Sequence, residues 1–151
     1  MMKFTPQQVR NLIGVETQTL RYWKAKLAPI AHYVGYAPCY TIGDIVALHI
    51  VRVLVRDFNV GIGKIAKVAN ELFQECRRPL WENEGEVFLI FDPHEGTVRL
   101  AANQLAGTVT RPLLVIPLVP IFRALQQNLT SEFTPPEQRK LPTPSLIRRS
   151  S

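Results

Sequence analysis

Residues 14–26, GVETQTLRYWKAK, concentrate side chains of the kinds that contact a nucleic-acid duplex. Arg21 and Lys24 suit phosphates or guanine, Gln18 suits the adenine edge, and the hydroxyls of Thr17 and Tyr22 suit phosphate oxygens. If the stretch is helical, Leu20, Trp23 and Leu27 fall at i, i+3 and i+7 and form its inward face. Thr17, Gln18, Arg21, Tyr22 and Lys24 then project outward or to the flanks. An ordinary solvated helix face has the same composition, so the neighbouring elements have to separate the two readings.

Other chemistry is sparse. Cys39 and Cys76 stand 37 positions apart, with no CxxC pair and no nearby histidine to complete a metal-ligand spacing. Small, mostly buried apolar side chains in a reducing compartment account for both. His32, His49 and His94 are scattered, and His49 lies in an apolar helical pattern where packing explains it. Glu82, Glu84 and Glu86 alternate as a paired-carboxylate site would, but a solvated loop or strand edge also accounts for them. Gly61 and Gly63 lack the lysine and hydroxyl spacing of a phosphate-binding loop. The expectation is a protein that is not an enzyme and has no cofactor and no metal.

The chain has 151 residues, a net charge of +6 and 46% hydrophobic residues, the composition of an ordinary globular protein. The charge is uneven. Residues 1–80 hold eleven Lys/Arg against five Asp/Glu, whereas residues 81–131 hold three against five. An anionic partner, nucleic acid ahead of membrane, would therefore meet the first half. The opening MMKFTPQQVRN lacks the apolar core of a signal peptide, and LLVIPLVPIF is about half a membrane span. A cytoplasmic, nucleoid-associated protein with no membrane partner is expected.

The elements that must position residues 14–26 are legible. Thr5 followed by Pro6 is a helix start, with Val9, Leu12 and Ile13 on one face and Gly14 as the corner. A second helix, about 16–26, follows at once, and two short helices joined this way make a helix-turn-helix unit. Residues 28–41, rich in Gly, Pro and Tyr, suit a short hairpin or wing. Thr41 with Asp44 caps a third helix, whose Ile45, Leu48, Val51, Val55 and Phe58 share a face. After the NVGIG turn, a fourth helix points Ile65, Val68, Leu72 and Phe73 inward.

Beyond Pro79 the period changes. GEVFLIFDPHEGTVRLAA reads as two strands around a D-P-x-x-G turn, with Val98 and Leu100 opposing Thr97 and Arg99. RPLLVIPL reads as a third strand, at an edge because of its prolines. PIFRALQQNL reads as an amphipathic helix with Ile121, Phe122, Leu125 and Leu129 on one side. From Ser131 the Pro- and Ser-rich tail has little to bury and is expected to be disordered. The expected class is α+β: a DNA-binding segment over 1–79, a hairpin plus helix over 80–130 for dimerisation or partner binding, and a tail over 131–151.

Thr5-Pro6-Gln7-Gln8-Val9, Gly14-Val15 and Thr19-Leu20-Arg21-Tyr22-Trp23 together resemble the start of MerR-family regulators. Gly35-Tyr36, Tyr40 and Asp44-Ile45 resemble that family's wing and third helix, and NVGIGKIAKVANELF its second wing and fourth helix. The resemblance covers about residues 4–75. It implies a winged helix-turn-helix that binds double-stranded DNA as a dimer, with Arg21 and Tyr22 contacting phosphate and base edges. Tyr36 and Tyr40 would pack the wing or touch the DNA backbone. Ala37 and Pro38 stand where the family carries a wing arginine, a contact that His32 or Lys26 would replace. Lys24 stands where an acidic residue is usual. The family's long dimerisation helix has no counterpart, because Pro79 and strand patterns follow without heptads.

The candidate DNA-contacting set is therefore Thr5, Thr17, Gln18, Thr19, Arg21, Tyr22, Lys24, Lys26, His32, Tyr36 and Tyr40. The function expected is a sequence-specific transcriptional regulator, a homodimer through residues 81–130, with its effector unspecified. Two alternatives use the same scaffold: a phage or plasmid accessory factor for excision, packaging or partition, and a winged-helix module that binds protein.

Overall fold

The computed structural model describes residues 2–78, 86–102 and 110–133. Among the described residues, six helices and a three-stranded antiparallel sheet make an α+β fold. Helix α1 (Pro6–Ile13) begins in a capping box. Gln8 N donates to Thr5 Oγ1 at 3.1 Å while Thr5 N donates to Gln8 Oε1 at 2.9 Å, so two orphan donors are satisfied at once. The helix ends at Gly14, whose φ of +71° closes the corner through a hydrogen bond from its N–H to Arg10 O. Helix α2 (Thr17–Lys26) follows, and Val15 plugs the corner into the core.

Residues 28–41 differ from the expected hairpin. Ala28–Ala31 form a short helix, α3, because Pro29 suits a first turn and Ile30 is drawn fully into the core. The strand pairing expected within this stretch is instead made with the chain's beginning: Phe4 N donates to Tyr40 O at 2.8 Å, and Tyr40 N to Phe4 O at 3.1 Å. Residues 32–39 thus form an irregular loop held at both ends.

Helix α4 (Ile42–Arg56) starts in the capping box expected at Thr41 and Asp44. It packs against α1, against α5 (Ile62–Cys76) and against α6 (Val119–Phe133), so it buries more than one face. Ile45, Leu48 and Val51 are buried as expected, but so are Val46, Ala47, Ile50 and Leu54. Val55 is half-buried and packs against this core, whereas Phe58, beyond the helix end, is exposed, which corrects its place on the inward face. Ile65, Val68, Leu72 and Phe73 of α5 are all buried.

The buried carboxylate of Asp44 joins these helices. Its Oδ2 accepts from Tyr33 Oη at 2.7 Å and Thr41 N at 3.0 Å, and its Oδ1 accepts from Arg77 Nε at 2.7 Å. Burial, and then the bond to Asp44, push the Tyr33 phenol up to about 12, so it stays a donor. The two helices touch so closely here that a Cβ on Gly43 would stand 2.6 Å from Arg77 Cα and 2.7 Å from Cys76 O.

The sheet has the order β2-β1-β3, with β1 at Val87–Asp92, β2 at Thr97–Ala102 and β3 at Leu114–Pro117 on an edge. Val87, Leu89 and Phe91 of β1, Val98 of β2 and Ile116 of β3 belong to one core cluster with the helices. Helix α5 lies against β2, and α6 lies against α1 and α4. Asn128 of α6 donates to Leu12 O at 3.0 Å, which satisfies a carbonyl at the end of α1. The sheet and α6 therefore complete the core of the helices α1, α4 and α5. Helix α6 continues to Phe133, past the expected start of the tail at Ser131; the remainder of that tail lies outside the described residues.

The D-P-x-x-G turn is held by Asp92, whose Oδ1 accepts from His94 N and Glu95 N at 3.0 Å each. Gly96 follows with φ +67°. Arg111 Nε reaches the other oxygen at 2.8 Å. This arginine, with the two backbone donors, holds the Asp92 carboxyl at about 2, below the usual carboxylate range.

Gly43→Ala should lower stability by about 2 kcal/mol in urea unfolding, because the clash with backbone outweighs alanine's helix preference of about 1 kcal/mol. For Asp92 the folded pKa is depressed, so its contribution is present above the ordinary value of 3.8 and is lost as pH falls toward about 2. Arg111→Ala should lower the urea midpoint at pH 7 and flatten its fall between about pH 4 and pH 2.

Candidate nucleic-acid interface

Helix α2 spans about 15 Å at 1.5 Å per residue, a length and width that a major groove accepts. Leu20, Trp23 and Leu27 are buried and fix its rotation. That rotation leaves two rows outside. One row is Thr17, Arg21 and the half-buried Lys24, at i, i+4 and i+7; the other is Gln18, Tyr22 and Lys26, at i, i+4 and i+8. Thr19 is half-buried between these rows and the core.

The first row lines a cleft of about 130 Å³ together with Pro6 and Arg10 of α1 and with Gly35, Tyr36 and Tyr40. Three cations, Arg10, Arg21 and Lys24, thus stand around one depression. Among the described residues none of the three belongs to a salt bridge, so their charge is available to an anion. A phosphate-sized ligand entering the cleft would meet guanidinium groups and an ammonium on two sides. Arg10 is missing from the sequence-based set. Its place follows from the periodicity of α1, since position 10 lies one step from the buried Val9 on the helix surface.

The second row is more open. Tyr22 is 51% exposed, and Lys26 Nζ stands over its ring, 5.7 Å from the centre, in a cation–π approach. Gln18 is exposed near the start of the helix. His32 is exposed just after α3, with its ring edge-on to Tyr33 at 4.6 Å, and is not part of the cleft lining.

Tyr40 requires a correction. It is 1% exposed, its ring meets Tyr33 edge-on at 4.9 Å, and burial pushes its phenol up to about 12. It forms the cleft floor and closes the loop base by pairing with Phe4, so it is a packing residue and not a surface contact. Tyr36 is the opposite case, 90% exposed. Thr5 is half-buried, and its Oγ1 is engaged by Gln8 N, so the side chain serves the α1 cap.

No protein-family model, curated protein or solved structure matches this chain. Its site must therefore be read from its own residues.

Among the described residues no group of three or more His, Cys, Asp or Glu side chains is placed to hold a metal ion. Cys39 is half-buried and Cys76 buried; both are free thiols, and burial pushes Cys76 up to about 12 and raises Cys39, which disfavours the reactive thiolate. Burial lowers the His49 pKa, with the Arg52 charge adding to it, as for a packed neutral imidazole. Glu82 and Glu84 lie outside the described residues, and Glu86 is exposed. Among the described residues no helix is long and apolar enough to cross a membrane.

Proposed function

We propose that this protein is a sequence-specific double-stranded DNA-binding regulator that places α2 in the major groove. The observation that carries the reading is the cleft itself: Arg10, Arg21 and Lys24 converge from two helices beside the exposed row of Gln18, Tyr22 and Lys26. Phosphate contacts from the first row would fix register, and the second row would face base edges. The N-terminal turns of a recognition helix lie nearest the bases, which places Gln18 closest to a base edge, while Thr17 and Arg21 would reach the phosphates at the rim of the groove. The resemblance to MerR-family regulators over about residues 4–75 supports the same reading, and so does the concentration of basic residues in the first half.

Self-association belongs to the proposal. The inner face of the sheet is used in the protein's own core, so a second copy would meet the outer face, where Phe88, Val115 and Pro117 lie. A dimer would present two copies of α2 to successive turns of a duplex.

Random-site selection with the purified protein should enrich a motif. Arg21→Ala should then weaken binding to that duplex at least tenfold by fluorescence anisotropy, about 1.4 kcal/mol, and reduce the dependence of log K on log salt by about one. An unenriched pool, or an Arg21→Ala protein with unchanged affinity and an intact circular-dichroism spectrum, argues for the protein-binding module instead. For the second copy, Val115→Glu should convert a dimer to a monomer in sedimentation velocity without loss of helix content.

A further inference from the structure

The cleft beside α2 holds more positive charge than one backbone phosphate can match. Arg10, Arg21 and Lys24 line it and no acidic side chain does, and none of the three belongs to a salt bridge among the described residues. A phosphate linkage in a duplex carries one negative charge. A terminal phosphate carries about −1.5 to −2 at pH 7, and a second phosphate behind it adds to that. Three cations around one depression therefore suit a terminal phosphate or diphosphate better than a single linkage.

Shape points the same way. Buried Leu20 and Tyr40 line the cleft from below, and Arg10 and Lys24 are themselves half-buried. A backbone phosphate is flanked by a sugar on each side and passes over a recess, whereas a terminal phosphate enters it end-on. At about 130 Å³ the cleft is well below the roughly 300–1,000 Å³ of pockets that enclose a whole small molecule. It takes the phosphate end of a ligand and leaves the remainder outside.

Tyr36 stands where that remainder would lie. It lines the cleft and is 90% exposed. A Cβ on the neighbouring Gly35 would meet nothing within 4 Å, so the space beside this turn is open. The loop that carries the ring is tied down at its base, with Tyr33 bonded to Asp44 and Tyr40 paired with Phe4. Bases in a duplex are stacked on one another and present their edges, but the base of a free nucleotide presents a face. An aromatic ring next to a cluster of cations suits that combination of a flat base and a charged end.

We propose that the cleft is a nucleotide site in which Arg10, Arg21 and Lys24 hold the terminal phosphates and Tyr36 stacks on the base. Its regulatory consequence rests on the DNA-binding reading above. Arg21 and Lys24 belong to the row assigned to duplex phosphates, so a bound nucleotide and a duplex exclude one another. Nucleotide concentration then sets the share of protein free to bind DNA. Arg10 deepens the grip on the nucleotide, because a guanidinium fork holds a phosphate through two parallel hydrogen bonds.

The first test uses the full chain without DNA, with adenosine and guanosine 5′-diphosphates as probes in isothermal titration calorimetry. At least one should bind, its nucleoside at least tenfold more weakly, and inorganic pyrophosphate at least fivefold more weakly. Arg10→Gln should weaken the diphosphate and pyrophosphate together by about tenfold, whereas Tyr36→Ala should weaken the diphosphate alone. Circular-dichroism spectra recorded with each titration should match the parent, and Tyr36, being bare, keeps the test open if Arg10→Gln fails to fold. No binding of either diphosphate would overturn the site. Equal binding of pyrophosphate and diphosphate, unchanged by Tyr36→Ala, would reduce it to a plain anion site and overturn the nucleotide. The second test adds a duplex enriched by random-site selection, at constant ionic strength. The apparent Kd for the duplex should rise in proportion to the bound diphosphate's concentration, and a diphosphate that binds without displacing the duplex would overturn the shared site. If the parent enriches no duplex, the DNA-binding reading and the regulatory consequence fail together, while the first test still decides the nucleotide site.

Discussion

The buried charge of Asp44 is the constraint on which the rest of the arrangement depends. A carboxylate taken out of water must be matched by donors, and here the donors come from three different places along the chain. Thr41 N lies at the start of α4, Tyr33 Oη at the base of the loop, and Arg77 at the end of α5. Arg77 also reaches Pro29 O at 3.4 Å, so the same guanidinium touches α3. Satisfying one buried group therefore aligns the start of one helix, the end of another and the loop that stands beside α2. Gly43 is required next to it, because only a residue without a side chain lets the two helices close to that distance.

From that junction the candidate interface follows by packing. The loop is anchored by Tyr33 and Ile30 at one end and by the Phe4–Tyr40 pairing at the other. Helix α2 is set by Gly14 at its corner and by Leu20, Trp23 and Leu27 against the core. Arg56 Nη2 donates to Gly14 O at 3.4 Å, so α4 also touches the corner from behind. The outward rows of α2 are thus presented on a rigid support, with Gly35 and Tyr36 of the loop beside them at the cleft. Rigid presentation matters because groove readout depends on placing side chains to within hydrogen-bond distance of base edges.

The second half serves this support. A three-stranded sheet with one helix buries little by itself, and here its inner face completes the core begun by α1, α4 and α5. The asymmetry of charge fits that division: the basic residues lie where the candidate interface is, and the less basic segment supplies packing.

Much of this was legible in the residues. The Thr5–Gln8 and Thr41–Asp44 caps, the Gly14 corner, the inward faces of α2 and α5, the hairpin turn at Asp92 and the edge position of β3 all follow from local rules, because capping, positive φ and side-chain period are properties of a few neighbouring residues. Local rules did not reach the contacts made across the chain. Tyr40 and Tyr36 are the same residue type four positions apart, and only the partner strand at Phe4 decides that one is core and the other is bare. Arg10 meets Arg21 and Lys24 only because α1 and α2 fold side by side. Sequence by itself determined the elements other than α3, the caps of α1 and α4, and the outward chemistry of α2. Tertiary structure decided which of those side chains meet in one cleft and which is raised above it, because burial and convergence depend on residues distant in the chain.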